Sequence, residues 1–205
     1  MNAPCCDGGG YATSTDWPSD VSELLFEQLE QLGFAGVSML EIGCGYGRML
    51  VGALLGGATQ ATGVELDPDA LEEARKRADG AGVGERCELL EGDGAELELP
   101  PHDLVVVDRV VCCYPAGERL VEHLAALTGT TFAMSVPESR GLRGVWNRLT
   151  YPLGNLLDRL RGKDPVYLHD VRRIEARLLA TGFRLHRGEW VGKWYVGIYQ
   201  RPAAP

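Results

Sequence analysis

A regular alternation of strand-like and helix-like segments between residues 37 and 136 constrains the fold of this chain more than any other feature. Strand patterns are predicted at 37–42, 61–66, 87–91, 103–108 and 130–136. Helical patterns are predicted at 47–56, 68–79 and 117–127. Strands connected through helices require right-handed crossovers, which build a parallel sheet with helices on both faces. The apolar run "DLVVVD" at 103–108 is typical of a strand buried on both faces.

The two ends of the chain extend this alternation. Apolar residues at helical spacing predict a first helix behind a cap at Ser19 or Asp20. The closing segments "FRLHRGEW" and "KWYVGIYQR" are too close together for a crossover helix, so we predict an antiparallel pair. The expected fold class is α/β, with a doubly wound, mostly parallel seven-stranded sheet that ends in this hairpin and carries a helical cap insert.

The chain has 205 residues, which favours a single domain. We divide that domain into four parts. They are an N-terminal lid and helix at 1–36, a core at 37–136, a cap insert at 138–169, and the last helix with the closing hairpin at 170–205.

A glycine loop joins the first predicted strand of the core to the helix after it. In "MLEIGCGYGRML" the glycines stand at 43, 45 and 47, and Arg48 occupies the place where a dinucleotide-binding loop has its third glycine. Glu65 ends the next strand, 22 residues after Gly43. A carboxylate at that place can accept hydrogen bonds from both hydroxyls of a ribose. The loop therefore predicts a ligand that contains a ribose and need not contain a pyrophosphate.

Three stretches of the core resemble a known family. "LEIGCGYG", "GVELDPDALEEAR" and "LLEGDGAEL" are similar, in that order and spacing, to the first three motifs of class I S-adenosylmethionine-dependent methyltransferases. The resemblance covers about residues 37–136, and the closing hairpin fits the same family. It implies a Rossmann-like fold, a methyltransferase activity and S-adenosyl-L-methionine as the cofactor.

The resemblance also assigns residues to parts of the cofactor. The three loop glycines would lie against the methionine part, Glu65 would hold the ribose, and Asp93 with Gly94 would meet the adenine. Residues 108–110, after the fourth strand, would flank the cofactor and reach toward the methyl acceptor. The predicted cofactor-binding residues are Tyr11, Glu41, Gly43, Cys44, Gly45, Gly47, Glu65, Leu66, Asp93, Gly94, Asp108 and Arg109.

The stretch "DRVVCCYP" resembles small-molecule O-methyltransferases of the magnesium-protoporphyrin type. Those proteins have a histidine immediately before "YP", where this chain has Cys113, so neither a porphyrin acceptor nor a base at that position follows. Cys113 and Tyr114 are nevertheless catalytic candidates. "CC" followed by "GY" at 5–11 also resembles the start of this family, in which the tyrosine closes over the cofactor, and Tyr11 is therefore a candidate lid residue.

The four histidines differ in their predicted placement. His102 precedes a strand and lies at the wrong end of the sheet, because ligands of such sheets bind beyond the carboxyl ends of the strands. His123 and His186 are expected at the surface. His169, in "VYLHD", can face an acceptor pocket and is the third catalytic candidate, with a capping or surface role as the alternative.

Charge and cysteine spacing limit the partners. The net charge of −9 disfavours a nucleic-acid partner, although residues 139–187 carry eleven Lys or Arg against four Asp or Glu. The cysteines lack C-x-x-C spacing, so we predict free thiols and no metal site, with a soft-metal or thiol role left open for the adjacent pairs at 5–6 and 112–113. The N-terminus lacks the pattern of a secretory signal, and no apolar run approaches the roughly 20 residues of a membrane span, which predicts a cytoplasmic protein.

The basic, apolar segment at 138–169 is open to three interpretations. It can form a lid over the acceptor, an element for packing or dimer formation, or a helix on a membrane surface. If the segment is a lid, its arginines favour an anionic acceptor. The function predicted overall is methyl transfer to a small, anionic or aromatic molecule, most readily at oxygen, by a monomer or homodimer. The alternatives are a cofactor-binding module without catalysis, an S-methyltransferase that uses thiol or soft-metal chemistry, and, more distantly, a nicotinamide-dependent oxidoreductase.

Overall fold

In the computed structural model, which describes residues 19–160 and 165–202, seven strands pair into one sheet. The strands are β1 (Ser38–Ile42), β2 (Gln60–Glu65), β3 (Cys87–Glu91), β4 (His102–Asp108), β5 (Thr128–Pro137), β6 (Arg184–Val191) and β7 (Trp194–Gln200). Their order across the sheet is β3-β2-β1-β4-β5-β7-β6. The first five strands are parallel, whereas β7 is antiparallel to both β5 and β6. The predicted fold class is confirmed. Tyr11, Cys5 and Cys6 lie outside the described residues.

The helices lie close to their predicted positions. They are α1 (Asp20–Leu32), α2 (Arg48–Leu55), α3 (Pro68–Gly80), α4 (Gly117–Ala126), α5 (Gly141–Leu160) and α6 (Val171–Ala180). Ser19 caps α1 by accepting a hydrogen bond from the amide of Ser22. In the same way Asp67 caps α3 through the amide of Asp69, and Pro68 begins that helix without an N–H to satisfy.

Helices cover both faces of the sheet, as an α/β fold requires. Side chains of consecutive strand residues point to opposite faces, and Met39 and Leu40 of β1 accordingly belong to two different core clusters. The cluster that contains Met39 packs against α1, α2 and α3. The cluster that contains Leu40 packs against α4 and α6. This double coverage leaves the carboxyl ends of β1 to β4 as the natural place for a ligand.

The cap insert contains one continuous helix. Glycines at 141, 144, 154 and 162 would by their own propensity favour short helices with bends between them, but α5 is one helix of 20 residues that runs through Gly144 and Gly154. A Cβ atom at Gly144 would come within 2.1 Å of the backbone of Ser139. Gly144 therefore allows α5 to pack closely on the chain that precedes it, which explains this glycine without a bend.

None of the helices in the described parts of the chain is long and apolar enough to cross a bilayer.

Candidate cofactor and active site

The three glycines of the loop after β1 have positive φ angles of 72°, 50° and 67°. At Gly43 an added Cβ would lie 2.2 Å from Cγ2 of Val110, and at Gly47 it would lie 2.9 Å from Cβ of Ala74. At Gly45 such an atom would meet nothing within 4 Å among the described residues. The outer two glycines are thus required by close packing as well as by φ, whereas Gly45 borders open space beyond the end of β1.

Glu65 lies at the carboxyl end of β2 and faces this loop. Its Oε2 accepts a hydrogen bond from the amide of Gly45 at 2.9 Å, and its Oε1 accepts from the amides of Leu66 at 2.7 Å and Asp67 at 3.2 Å. These backbone donors hold the carboxylate against the glycine loop. The structure therefore brings together the loop and the acidic residue that the sequence had assigned to a ribose.

Asp93 follows β3 at the same edge of the sheet. Its Oδ1 accepts hydrogen bonds from the amide of Ala95 at 2.9 Å and from the hydroxyl of Tyr114 at 2.5 Å. Gly94 is close to β1, because a Cβ at that position would come within 2.5 Å of Cγ2 of Ile42. Burial, and then the hydrogen bond to Asp93, raise the pKa of Tyr114, so its phenol remains a proton donor at neutral pH.

Glu41 lies beneath the loop and is buried, with 4% of its surface exposed. Its Oε2 is a buried oxygen without a hydrogen-bond partner among the described residues. Burial raises the pKa of Glu41 well above its ordinary value, and the neighbouring carboxylates of Asp108 and Glu65 raise it further. A buried oxygen of this kind is costly unless a ligand supplies the missing partner.

Asp108, the last residue of β4, is held by two hydroxyl groups. Ser22 Oγ donates to Oδ2 and Ser135 Oγ donates to Oδ1, each at 2.5 Å. Ser135 Oγ also accepts the amide of Arg109, whose φ of 58° is unusual for a residue with a side chain. We did not predict either serine. Ser22 could have been found from the sequence, because it is a polar residue on the apolar face of the first helix.

The two adjacent cysteines follow Asp108 in a short 3-10 helix. Cys112 is buried and Cys113 is half-buried, and both thiols point to the carbonyl oxygen of Arg109, at 3.3 and 3.7 Å. Both are free thiols, as are Cys44 and Cys87. Cys44 is buried like Cys112, whereas Cys87 is partly buried like Cys113. Across the described residues, no group of three or more His, Cys, Asp or Glu is arranged to hold a metal ion.

His169 lies against the loop that follows β4. Its Nε2 is 2.9 Å from the carbonyl oxygen of Tyr114, and the amide of the nearby Tyr167 donates to the carbonyl oxygen of Cys112 at 2.7 Å. The end of the insert therefore packs on the segment that carries the other two catalytic candidates. His102 lies at the opposite end of β4, where its ring contacts the carbonyl of Pro100 and the hydroxyl of Thr62.

Arg140, which the sequence suggested for gripping an acidic acceptor, is already engaged within the protein. Its guanidinium contacts the carboxylates of Glu138 at 3.0 Å and Glu175 at 2.9 Å, and it lies 4.2 Å from the ring centroid of Tyr195. Trp190 Nε1 donates to the same Glu138 carboxylate. The geometry thus shows Arg140 joining the end of β5 to α6 and to the closing hairpin.

We expect Arg140→Ala to lower the free energy of unfolding by about 2 to 3 kcal/mol, because it leaves Glu138 and Glu175 without their cation in a poorly solvated place. Denaturant unfolding would measure this. Arg177→Ala is the matched control, since the pair of Arg177 with Glu122 is half exposed on both sides and should contribute less than about 1 kcal/mol. Equal losses in the two variants would contradict a structural role specific to Arg140.

Solved structures share this fold at low sequence identity. Magnesium protoporphyrin IX methyltransferase (ChlM) from Synechocystis PCC 6803 with bound SAH is 19% identical and superimposes with a TM-score of 0.68 over 89% of this chain and 82% of that one. The [4+2]-cyclase SpnF is 13% identical, with a TM-score of 0.70 over 93% and 85% of the two chains. These similarities establish the fold, and they include a protein named for a different reaction.

Residues 39–129 match the family described as "Methyltransferase domain". This part of the chain is a methyltransferase domain. The predicted family is confirmed, and the domain match covers the glycine loop, Glu65, Asp93 and Asp108.

Among curated relatives, the ribosomal protein L11 methyltransferase of Serratia proteamaculans is 39% identical over 148 residues, which are 71% of this chain and 44% of that protein. The protein of the same name from Edwardsiella ictaluri is 33% identical over 81% of this chain and 52% of its own length. The chain thus spans about half the length of these relatives.

Proposed function

We propose that the chain is an S-adenosylmethionine-dependent methyltransferase that acts on a small, anionic or aromatic molecule, with oxygen as the methylated atom. The observation that carries the cofactor assignment is Oε2 of Glu41, which is buried and has no hydrogen-bond partner among the described residues, next to a glycine loop where an atom added at Gly45 would meet none of those residues. S-adenosylmethionine carries a positive charge on its sulfonium and another on its α-amino group. A site with an orphaned carboxylate oxygen is suited to such a ligand.

The other residues of this edge fit the same ligand. Burial and the nearby carboxylate of Asp108 raise the pKa of Glu41, and a cation bound here would offset both effects by stabilising the ionised form. Glu65, at the end of β2, would accept hydrogen bonds from ribose hydroxyls, and Asp93 with Gly94 would meet an adenine. The methyltransferase domain match independently supports S-adenosyl-L-methionine as the cofactor.

S-adenosylmethionine would supply a methyl group on a sulfonium, which is already activated for in-line displacement. The protein's contribution is then positioning and exclusion of water rather than strong base catalysis. The chain still offers one base. Because the carbonyl oxygen of Tyr114 can only accept a hydrogen bond, His169 must carry its proton on Nε2, which leaves Nδ1 as the basic nitrogen. Nδ1 would take the proton of an acceptor hydroxyl, while Tyr114 remains a donor to Asp93.

A small acceptor is supported by the surroundings of this base. The loop after β4 is covered by the end of the insert, where the rings of Tyr167 and His169 stack with centroids 6.4 Å apart. Aromatic rings beside the proposed base suit a small ring compound better than an extended chain. Cys113 and Tyr114 would line it, and Tyr11 remains a candidate lid.

A protein acceptor is the second candidate, and the observation that favours it is the 39% identity to a ribosomal protein L11 methyltransferase. The identity spans 44% of that relative, so the part of it that this chain does not match can contribute to choosing its substrate. Cofactor binding without catalysis remains the third possibility, favoured by Cys113 at the place where related small-molecule enzymes have histidine.

Calorimetry with S-adenosylhomocysteine tests the cofactor assignment. We expect binding by the wild type, and Glu65→Ala should weaken it by about 1 to 3 kcal/mol, because polar groups of the ribose would lose their partner. Glu30→Ala, a change of an exposed carboxylate on α1, should leave the affinity unchanged. Binding of NADH in place of S-adenosylhomocysteine would contradict the proposed function.

Labelling with methyl-labelled cofactor tests the acceptor. The protein would be incubated separately with a metabolite extract and with ribosomal proteins. Label in a small molecule is expected. Label confined to a ribosomal protein would select the second candidate, and no label despite tight cofactor binding would select the module without catalysis.

A further inference from the structure

The outer face of α5 is a continuous stripe of exposed apolar side chains. They recur at helical spacing over the whole helix, and Leu142 and Leu160 at its two ends are 89% and 78% exposed. The members of this outer stripe are Leu142, Val145, Trp146, Leu149, Leu153, Leu156 and Leu160. A stripe of this length is far larger than the scattered apolar residues that a soluble surface normally carries.

The opposite side of α5 is the one that packs on the protein, which fixes the direction of the outer stripe. Asn147 Nδ2 donates to the carbonyl oxygens of Glu138 and Lys193, at 2.8 and 3.1 Å. Further along, the amide group of Asn155 exchanges two hydrogen bonds with the backbone of Val166. The outer stripe therefore points away from the loop after β4 and from the glycine loop, and it does not wall the acceptor place described above.

Basic residues border the outer stripe. Arg143 lies along one side of it and Arg148 and Arg159 along the other, and all three are exposed. Lys193, in the turn between β6 and β7, lines a shallow cavity of about 260 Å³ together with Leu142, Arg143 and Trp146. The sequence of α5 contains a single acidic residue, Asp158. Residues 139–187 have a net charge of +7, which leaves −16 for the rest of the chain.

We propose that α5 binds the surface of an anionic lipid bilayer. The outer stripe would lie at the boundary between headgroups and acyl chains, and the arginines would extend to the phosphates on either side. Basic residues near an anionic leaflet are attracted to it, and this attraction adds to the burial of the outer stripe.

Charge separates this occupant from a second copy of the chain. If two α5 helices paired through their outer stripes, the arginine borders of both would come together with only one acidic residue for each helix. Like charges at the borders of a helix pair are destabilising. An anionic bilayer instead places phosphates beside every arginine, so the same charges favour the docking. The proposal does not depend on the methyltransferase activity.

Cosedimentation of the full chain with vesicles tests the proposal. We expect the wild type to sediment with vesicles of equal parts phosphatidylcholine and phosphatidylglycerol, and much less with phosphatidylcholine alone. Replacing Leu149 and Leu153 together by Glu should lower the partition coefficient at least tenfold. Both side chains are more than 60% exposed, so the variant should fold. Leu55→Glu is the matched control, because Leu55 is 65% exposed on a different helix and should retain wild-type binding.

Four results would overturn the proposal. They are a wild type that does not sediment with anionic vesicles, equal binding by the double variant, equal binding to the two kinds of vesicle, and a lowered melting temperature of the double variant. The last would show that the outer stripe is covered by another part of the chain. Size-exclusion chromatography distinguishes a second copy, which would appear as a dimer that the double variant dissociates.

Discussion

Gly45→Val is expected to lower the affinity for S-adenosylhomocysteine by about 100-fold, or roughly 2.7 kcal/mol, in a protein that still folds. A Cβ at Gly45 would meet no atom of residues 19–160 and 165–202 within 4 Å, so the isopropyl group would extend into the space that the proposed ligand needs. Gly45 also donates its amide to Glu65, and a shift of the loop would move that carboxylate as well. Calorimetry gives the affinity, and circular dichroism shows whether the variant is folded.

Gly82→Val is the control for this change. Gly82 has a φ of 71°, compared with 50° at Gly45, and it too has nothing within 4 Å of an added Cβ, but it lies after α3 and away from the loop. Both variants should lose a similar amount of stability, about 1 to 2 kcal/mol, from placing a side chain at positive φ. Cofactor affinity should fall only in Gly45→Val. Unchanged affinity in that variant would mean that the space beside Gly45 is not the ligand site.

The sequence was sufficient to predict the sheet, because the patterns that mark strands and helices lie within short stretches of the chain. Period and composition mark β4 and α3 within short windows, and handedness rules then arrange the parallel strands. The short distance between the last two strands was enough to predict their antiparallel pairing. The glycine loop and Glu65 could be expected at the same edge of the sheet for the same reason, since each follows or ends a parallel strand, and they are hydrogen-bonded there.

The partners within the site could not be predicted in this way, because they are far apart in the chain. Asp108 is held by Ser22, 86 residues away, and Tyr114 reaches Asp93 across 21 residues. Arg140 illustrates the same limit. The basic composition of the insert suggested that its arginines bind an acidic substrate, but Arg140 pairs with Glu175, 35 residues further on. Which charged groups satisfy one another depends on tertiary contacts that no local pattern records.

The insert shows a different limit. Glycines suggest bends when each is judged by its own propensity, but α5 continues through Gly144 and Gly154. Packing of Gly144 on Ser139 and the hydrogen bonds of Asn147 and Asn155 hold the helix along its inner side. The amphipathic pattern was visible in the sequence, whereas the direction in which its apolar side points was not. That direction separates a lid over the acceptor from a surface for docking.

Glu41→Gln should have opposite effects on stability and on cofactor binding. Burial raises the pKa of Glu41 in the folded protein above its value of about 4.3 in the unfolded chain. Ionisation of Glu41 therefore favours the unfolded state. The contribution of this group to the stability of the wild type is fully present below the unfolded pKa, and it is lost as the pH rises through the folded pKa. The neutral amide avoids that loss, so at pH 7 the variant should be more stable by about 1 to 2 kcal/mol. Near pH 4 the difference should disappear.

Binding of S-adenosylhomocysteine by Glu41→Gln should nevertheless weaken about 10- to 100-fold, because the amide cannot pair a charged amino group as a carboxylate does. Denaturant unfolding at several pH values and calorimetry would measure the two effects. Glu91→Gln, which changes an exposed carboxylate at the end of β3, should alter stability by less than about 0.5 kcal/mol. A variant that is less stable and binds as well as the wild type would mean that Glu41 serves packing. The expected pattern would instead show that this carboxylate destabilises the empty domain and is kept for its cationic ligand.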